Sequence, residues 1–257
     1  MTHPVIFLGA GPGDPELLTL KGRRLLDEAD VIVYAGSLVN PALLVGVSAE
    51  IHDSAGMTLD EVLAVLIAAQ RAGKKAVRLH TGDPALYGAI REQMQRLDRE
   101  GIGYEVVPGV SSAFAAAAAL KAELTVPEIT QTVIFTRIGG RTPVPEQEAL
   151  RNLAAIKASM CIFLSVGMIE KVVAELTAGG YPENTSAAVV EKASWPEQRI
   201  VRGTLADIAE KVKASAICKT AMILVGQALS DEAAAASRLY DAGFSHGCRG
   251  LQRLAAE

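Results

Sequence analysis

Short apolar runs alternate along the chain with stretches whose apolar residues recur at helical spacing. Val5-Ile6-Phe7-Leu8 reads as a buried strand, and within 16–29 the residues Leu18, Gly22, Leu25, Leu26 and Ala29 share one helical face. Residues 30–34 make a second apolar strand, Asn40-Pro41 opens a short helix, and 50–53 reads as a third strand. Thr58 with Glu61 forms a capping box for a helix carrying Leu59, Val62, Leu63 and Leu66, which Gly73 ends. A strand at 75–79, a helix with Leu86, Ile90, Met94 and Leu97 on one face, and a strand at 104–107 follow. Ser111 or Ser112 then caps an alanine-rich helix.

Residues 120–130, with Pro127, read as a connector. Beyond it come a strand at 132–135, a polar loop at 136–145 and a helix with Leu150, Leu153 and Ile156. A strand at 160–164 precedes a helix with Ile169, Val172, Val173 and Leu176 that stops at Gly179-Gly180. Strands at 187–190 and 199–203 flank the loop 192–198, Thr204 and Asp207 cap a short helix, and 221–225 is a last buried strand. The pattern predicts an α/β protein: a first half with a mostly parallel sheet covered on both faces, and a second half with a mixed sheet. The divisions expected are an N-terminal domain 1–122, a linker 123–130, a C-terminal domain 131–229 and a tail 230–257 to which no order is assigned.

Three strand-to-helix loops carry special chemistry: Gly9 to Pro15, Thr81 to Pro84, and Pro108 to Ser112. In a parallel sheet all three fall at one edge and face one crevice. The first loop invites a dinucleotide, but its spacing is G-x-G-P-G-D-P rather than G-x-G-x-x-G. Pro12 removes an N–H that phosphate would use, and Asp14 puts negative charge where a pyrophosphate would sit. No ribose-binding carboxylate follows the second strand, where Tyr34-Ala35-Gly36-Ser37 stands instead. A cationic, phosphate-free nucleoside suits Asp14 and Asp83, although both aspartates also serve as helix caps.

Composition narrows the partners. Lys and Arg number 25 against 29 Asp and Glu, a net charge of −4 that disfavours a nucleic acid, and 4% aromatic residues leave little for base stacking. Cys161, Cys218 and Cys248 form no CxxC and read as core thiols plus one near the tail, in a reducing cytoplasm. His3, His52, His80 and His246 have no metal-ligand spacing, so no metal is expected. The longest apolar run, 113–120, is far short of the ~20 residues needed to cross a bilayer, and no basic-then-apolar leader precedes the first strand.

The loops carry a resemblance. The stretch from Val5 through Gly9-Ala10-Gly11-Pro12-Gly13-Asp14-Pro15 to Thr19, with Gly82-Asp83-Pro84, Pro108-Gly109-Val110-Ser111-Ser112 and Gly203-Thr204-Leu205, resembles the tetrapyrrole methylase family. Its members are S-adenosylmethionine-dependent enzymes of two α/β domains with a cleft between them. Tyr34 to Val39, Asp53 to Thr58 and the run Arg137-Ile138-Gly139-Gly140-Arg141-Thr142-Pro143 further resemble the branch that methylates precorrin-4 at C11 in cobalamin synthesis. The resemblance implies that the methyl donor contacts Pro12, Thr81, Gly82, Asp83, Leu86, Ser111 and Ser112 in the first domain. In the second it implies Val166, Ala193, Thr220 and Ala221, with Val166 open to a one-residue slip. Homodimerisation is implied in the same way.

Methyl transfer from a sulfonium to an electron-rich ring carbon needs alignment and dryness more than an activated side chain, so no catalytic base is assigned. A precorrin is fringed with acetates and propionates, which an acidic protein must meet with locally gathered cations. Arg137 and Arg141 are the first choice for these, with Lys192 and Arg199 behind them. Trp195, the only tryptophan, either floors the macrocycle or covers a dimer interface, the second being preferred. The competing readings are a cobalt-bound precorrin-4, uroporphyrinogen III, a ribosomal RNA or translation-factor substrate, a nicotinamide oxidoreductase, and a sensor of S-adenosylmethionine.

Overall fold

The computed structural model describes residues 3–230 and 244–245. The expectation for the rest of the tail, with His246 and Cys248, lies outside the described residues. The first half holds strands β1 (Val5–Gly9), β2 (Val31–Tyr34), β3 (Glu50–Asp53), β4 (Ala76–His80) and β5 (Tyr104–Val107). They lie in the order β3-β2-β4-β1-β5, and every pairing is parallel. Between them run helices α1 (Leu20–Asp27), α2 (Leu59–Arg71) and α3 (Ile90–Arg99), with α4 (Ser112–Leu120) after β5. One sheet face packs Val5, Phe7, Val31 and Val33 against Leu63 and Leu66 of α2 and Leu97 of α3. The other packs Ile6, Leu8, Ile32 and Leu79 against Leu26 of α1 and Leu43. Such two-sided cover explains why the strands read as unbroken apolar runs.

The second half holds β6 (Val133–Arg137), α5 (Leu150–Ala154), β7 (Ser159–Phe163), α6 (Ile169–Ala178), β8 (Ser186–Glu191), β9 (Arg199–Thr204), α7 (Ile208–Ala214) and β10 (Ala221–Val225). Its sheet runs β6-β7-β10-β8-β9. β6 and β7 are parallel, whereas β10 is antiparallel to both of its neighbours and β8 to β9. Helices α5, α6 and α7 cover one face. The other face is covered by α4, whose Ala113, Ala116 and Ala117 pack against Cys161, Val190, Met222 and Leu224. Alanine side chains let this helix approach the strands closely. A helix that follows the first sheet in sequence therefore belongs by packing to the second, and the Arg202 guanidinium fixes its end by donating to the Leu120 carbonyl at 2.8 Å.

Three local expectations need correction. The helix read at 16–29 is interrupted: the Asp14 carboxylate caps only the single turn Pro15–Leu17, and the Thr19 hydroxyl then accepts the Gly22 N–H to start α1 at Leu20. The helix after Pro84 begins only at Ile90, because Ala89 adopts a left-handed conformation (φ 50°) that carries no helix. Leu86 is thereby released from the helical face. Finally, Asp207 stands at the N-cap position of α7, but neither its side chain nor that of Thr204 accepts an N–H of the helix. The Asp207 carboxylate turns back to accept the Thr204 N–H and pairs with Lys211.

Candidate active site

The three glycine-bearing loops meet main chain to main chain. Gly11 and Gly82 form a two-way bridge, each N–H donating to the other's carbonyl at 3.2 and 2.8 Å. The Ala10 N–H donates to the His80 carbonyl at 2.7 Å. A Cβ on Gly9 would lie 2.6 Å from the Gly109 backbone, and one on Gly109 would lie 2.2 Å from the Gly82 carbonyl oxygen, so no side chain fits at either position. Asp83 ties the same loops together, one carboxylate oxygen accepting from Ala85 and the other from Gly109. Ser111 caps α4 by accepting the Ala113 N–H, in agreement with one of the two serines expected there.

This edge of the first sheet faces the second sheet across a cavity of about 170 Å³. Pro12, Thr81, Gly82, Asp83, Leu86, Ser111 and Ser112 line it from one side, and Ala193, Thr220 and Ala221 from the other. The cavity thus gathers every residue singled out for the methyl donor except Val166. That residue is buried in the turn Val166–Met168 and lines a neighbouring trough instead. β10 runs against β7 and β8, so its start at Thr220-Ala221 comes to the same edge as the ends of those strands.

The trough measures about 1060 Å³. Its lining includes Arg137, Arg141, Lys192 and Lys219 and contains no aspartate or glutamate. Lys192 pairs with Glu197 at 3.7 Å, outside the lining, but four cations gathered on an acid-free lining, in a chain of net charge −4, still make a local positive field. The arginines differ in state. Arg137 already donates to the Thr142 and Pro143 carbonyls at 3.0 and 2.7 Å and so shapes its own loop, while Arg141 is exposed. Arg199 is not part of the trough: its guanidinium pairs with Glu191 and donates to the Ser215 carbonyl. Lys219 was missed because it stands alone in a short turn with no motif around it.

Leu38, Leu164, Lys192 and Trp195 line both spaces and form the passage between them. Tyr87, Leu164, Lys192 and Thr220, all on the small cavity, have positive φ (56°, 54°, 47° and 51°), a conformation disfavoured for side-chain-bearing residues and common at ligand sites. Burial raises the Tyr87 phenol above its usual range, with the Arg137 guanidinium opposing and Glu148 adding to the shift. Cys218, expected in the core, is exposed on the trough because the turn before β10 carries it outward; Cys161 is buried, which pushes its thiol up to about 12. Trp195, read as either a floor for the macrocycle or cover for a dimer interface, lines the trough and reaches across the cleft to donate its indole N–H to the Pro12 carbonyl at 2.8 Å. Among the described residues no group of three or more His, Cys, Asp or Glu side chains converges as a metal site would.

The lining of the small cavity fits a nucleoside joined to an amino acid. Thr81, Ser111, Ser112 and Thr220 offer hydroxyls, the glycine loops offer main-chain groups, and Leu86, Ala193 and Met222 offer apolar surface, with no arginine among them.

Comparison with known proteins agrees with this geometry. Residues 4–209 match the family model described as Tetrapyrrole (Corrin/Porphyrin) Methylases. The cobalt-precorrin-4 C(11)-methyltransferase of Methanocaldococcus jannaschii is 59% identical, over 94% of this chain and 94% of that protein. The precorrin-4 C(11)-methyltransferase of Pseudomonas aeruginosa is 48% identical, over 94% and 97%. An X-ray structure of a cobalt precorrin-4 methyltransferase superposes with a TM-score of 0.86 at 51% identity, covering 88% of this chain and 95% of that one. With a family model covering the first sheet and four of the five strands of the second, and the three glycine loops and the cleft they face in place, the chain belongs to the tetrapyrrole methylases.

Proposed function

We propose that this protein is an S-adenosylmethionine-dependent C-methyltransferase that methylates precorrin-4 at C11 in cobalamin biosynthesis. The observation that carries the substrate class is the acid-free trough with its four cations beside the small cavity, since a macrocycle fringed with carboxylates is what such a field collects. The likeness to the precorrin-4 and cobalt-precorrin-4 enzymes supports the position of methylation. The cobalt-bound substrate is the second reading, favoured by the 59% identity to a relative named for it.

In this reading the donor lies in the small cavity against Pro12, Thr81, Gly82, Asp83, Leu86, Ser111, Ser112, Ala193, Thr220 and Ala221, with Val166 on the substrate side of the passage. When bound, S-adenosylmethionine supplies an electrophilic methyl group on a sulfonium. The chain's own task is alignment: loops braced main chain to main chain hold one wall rigid, and Leu38 and Leu164 give the passage an exposed apolar surface that a bound macrocycle would cover. Arg141 and Lys219 hold substrate carboxylates, and Arg137 shapes the loop that presents Arg141.

The reading also takes 1–122 and 131–229 as domains joined by 123–130, with α4 of the first packed on the sheet of the second, a homodimer as the working form, and the cytoplasm as its place. It assigns no resident metal and no nucleic-acid or membrane partner; among the described residues no helix is long and apolar enough to cross a membrane. The test is incubation with methyl-labelled S-adenosylmethionine and precorrin-4, metal-free and cobalt-bound in parallel. One added methyl group, placed at C11 by NMR, is expected from one of the two. No transfer to either, or a methyl at another carbon, would refute the assignment.

A further inference from the structure

Pro12, Gly13 and Asp14 each have a main-chain polar group held by a different side chain. The Pro12 carbonyl accepts the Trp195 indole N–H at 2.8 Å, the Gly13 carbonyl accepts from the Asn40 amide at 2.8 Å, and the Asp14 N–H donates to the Ser194 hydroxyl at 3.0 Å. Two of these three partners come from the loop between β8 and β9, on the far side of the cleft. That loop is itself braced, the Ser194 N–H donating to the Gln198 side chain at 2.8 Å and the Lys192 ammonium lying 5.4 Å from the centre of the indole. Lys192 and Ser194 have φ of 47° and 70°, so the clasp holds two residues in a conformation that they disfavour. Gly13 leaves the space for it: a Cβ there would sit 1.9 Å from the indole ring.

We infer that Trp195 is a positioning residue for methyl transfer, setting the donor wall by holding Pro12 in place. This rests on the reading of the small cavity as the methyl-donor site. Pro12 lines that cavity, and its carbonyl points to the opposite wall, so the indole hydrogen bond sets the separation of the two walls at Pro12, with the Ser194–Asp14 bond as a second tie two residues on. The same ring separates the donor cavity from the trough. Filling of the cavity is therefore coupled to the state of the indole.

The chain contains a single tryptophan, so indole emission reports on Trp195 with no other tryptophan contributing. S-adenosylhomocysteine is titrated into the full-length protein with calorimetry and tryptophan emission read in parallel. Emission is expected to change saturably with the calorimetric midpoint. Trp195→Phe, which keeps a ring but removes the donor, should weaken S-adenosylhomocysteine binding about tenfold, as expected when a buried carbonyl loses its partner. It should leave the tetrapyrrole KM within about twofold, since the trough keeps an aromatic wall; a general loss of structure would move both. Gly13→Ala, which displaces the indole from the other side, should reproduce the weaker binding. Calorimetric binding with unchanged emission, or folded variants that bind as tightly as the unaltered protein, would overturn this role alone. Absence of any S-adenosylhomocysteine binding to the unaltered protein would remove the donor-site reading and the role with it.

Discussion

The Asp83 carboxylate accepts the main-chain N–H of Gly109 at 3.0 Å, joining the loop after β4 to the loop after β5. Its other oxygen accepts the Ala85 N–H at 2.8 Å, so the side chain braces the donor wall. Asp83→Ala should cost about 1–3 kcal/mol of stability and weaken S-adenosylmethionine binding by about tenfold or more, because two charge-assisted bonds are lost at the cavity edge. Asp83→Asn keeps one acceptor and should fall between. Urea unfolding and calorimetric titration measure the two effects; an unchanged titration in a folded Ala variant would take Asp83 out of the site.

Gly109→Ala should destabilise the fold by about 3 kcal/mol or more, since the added methyl meets backbone atoms of Gly82 and Gly9 rather than a side chain that can turn away. Gly103→Ala is the control. Its Cβ meets nothing within 4 Å, so it should stay within about 0.5 kcal/mol of the unaltered protein in urea unfolding. Equal midpoints for the two variants would contradict the close packing of the loops.

His80 sits 6% exposed at the end of β4 with its Nε2 unpartnered, and burial, helped by the nearby Arg78 charge, lowers its pKa to about 3. Its folded value lies below the unfolded value of about 6.5, so the unfolded chain binds the extra proton as pH falls. The stability this neutral imidazole contributes is complete above about pH 6.5 and is lost progressively toward pH 3, by at most about 1.4 kcal/mol per unit. Between about pH 6.5 and 5 the carboxylates of the unfolded chain are still largely ionised, which isolates the histidine. Melting temperature should fall with pH across that window, and His80→Gln should flatten the slope. An already flat profile in the unaltered protein would count against it.

Arg141→Ala and Lys219→Ala should each raise the KM for the tetrapyrrole about three- to tenfold, the range expected for losing an exposed charge-assisted contact. S-adenosylhomocysteine binding should stay within about twofold, and added salt should shrink the defect as it screens the remaining cations. Arg137→Ala should also weaken the tetrapyrrole more than the donor. Its guanidinium is occupied by the Thr142 and Pro143 carbonyls, so its defect should persist at high salt. Equal losses for donor and tetrapyrrole in all three would recast the loop as a general support of the cleft.

Much of the architecture was legible because both sheets are covered on two faces, so buried strands stand out as apolar runs such as Val31-Ile32-Val33. The Thr58 capping box is local chemistry and is read directly from its spacing. The destination of α4 was not legible, since a run of alanines has no periodic face to say which sheet it will meet. Helix starts were misplaced where one cap preceded another, as Asp14 precedes Thr19. The cavity residues of the first half follow from loops that end parallel strands. Those of the second half escape that rule, because β10 contributes its beginning rather than its end. The bond made by Trp195 across the cleft was not legible because its partner stands 183 residues away and is a proline carbonyl, which no side-chain pattern announces.

The wall made by Gly9, Gly82 and Gly109 is shaped by main chain pressed on main chain. A saturation scan of Gly9 or Gly109 should therefore show no gradient by polarity, charge or size: every replacement introduces the same forbidden carbon, and alanine should fail as tryptophan does. Across the cleft, where side chains form the lining, tolerance should instead be graded. Drift in substrate preference can accumulate on that second wall while the first stays fixed, so altered donors or acceptors are better sought at Leu164, Met168 and Lys219 than among the glycines.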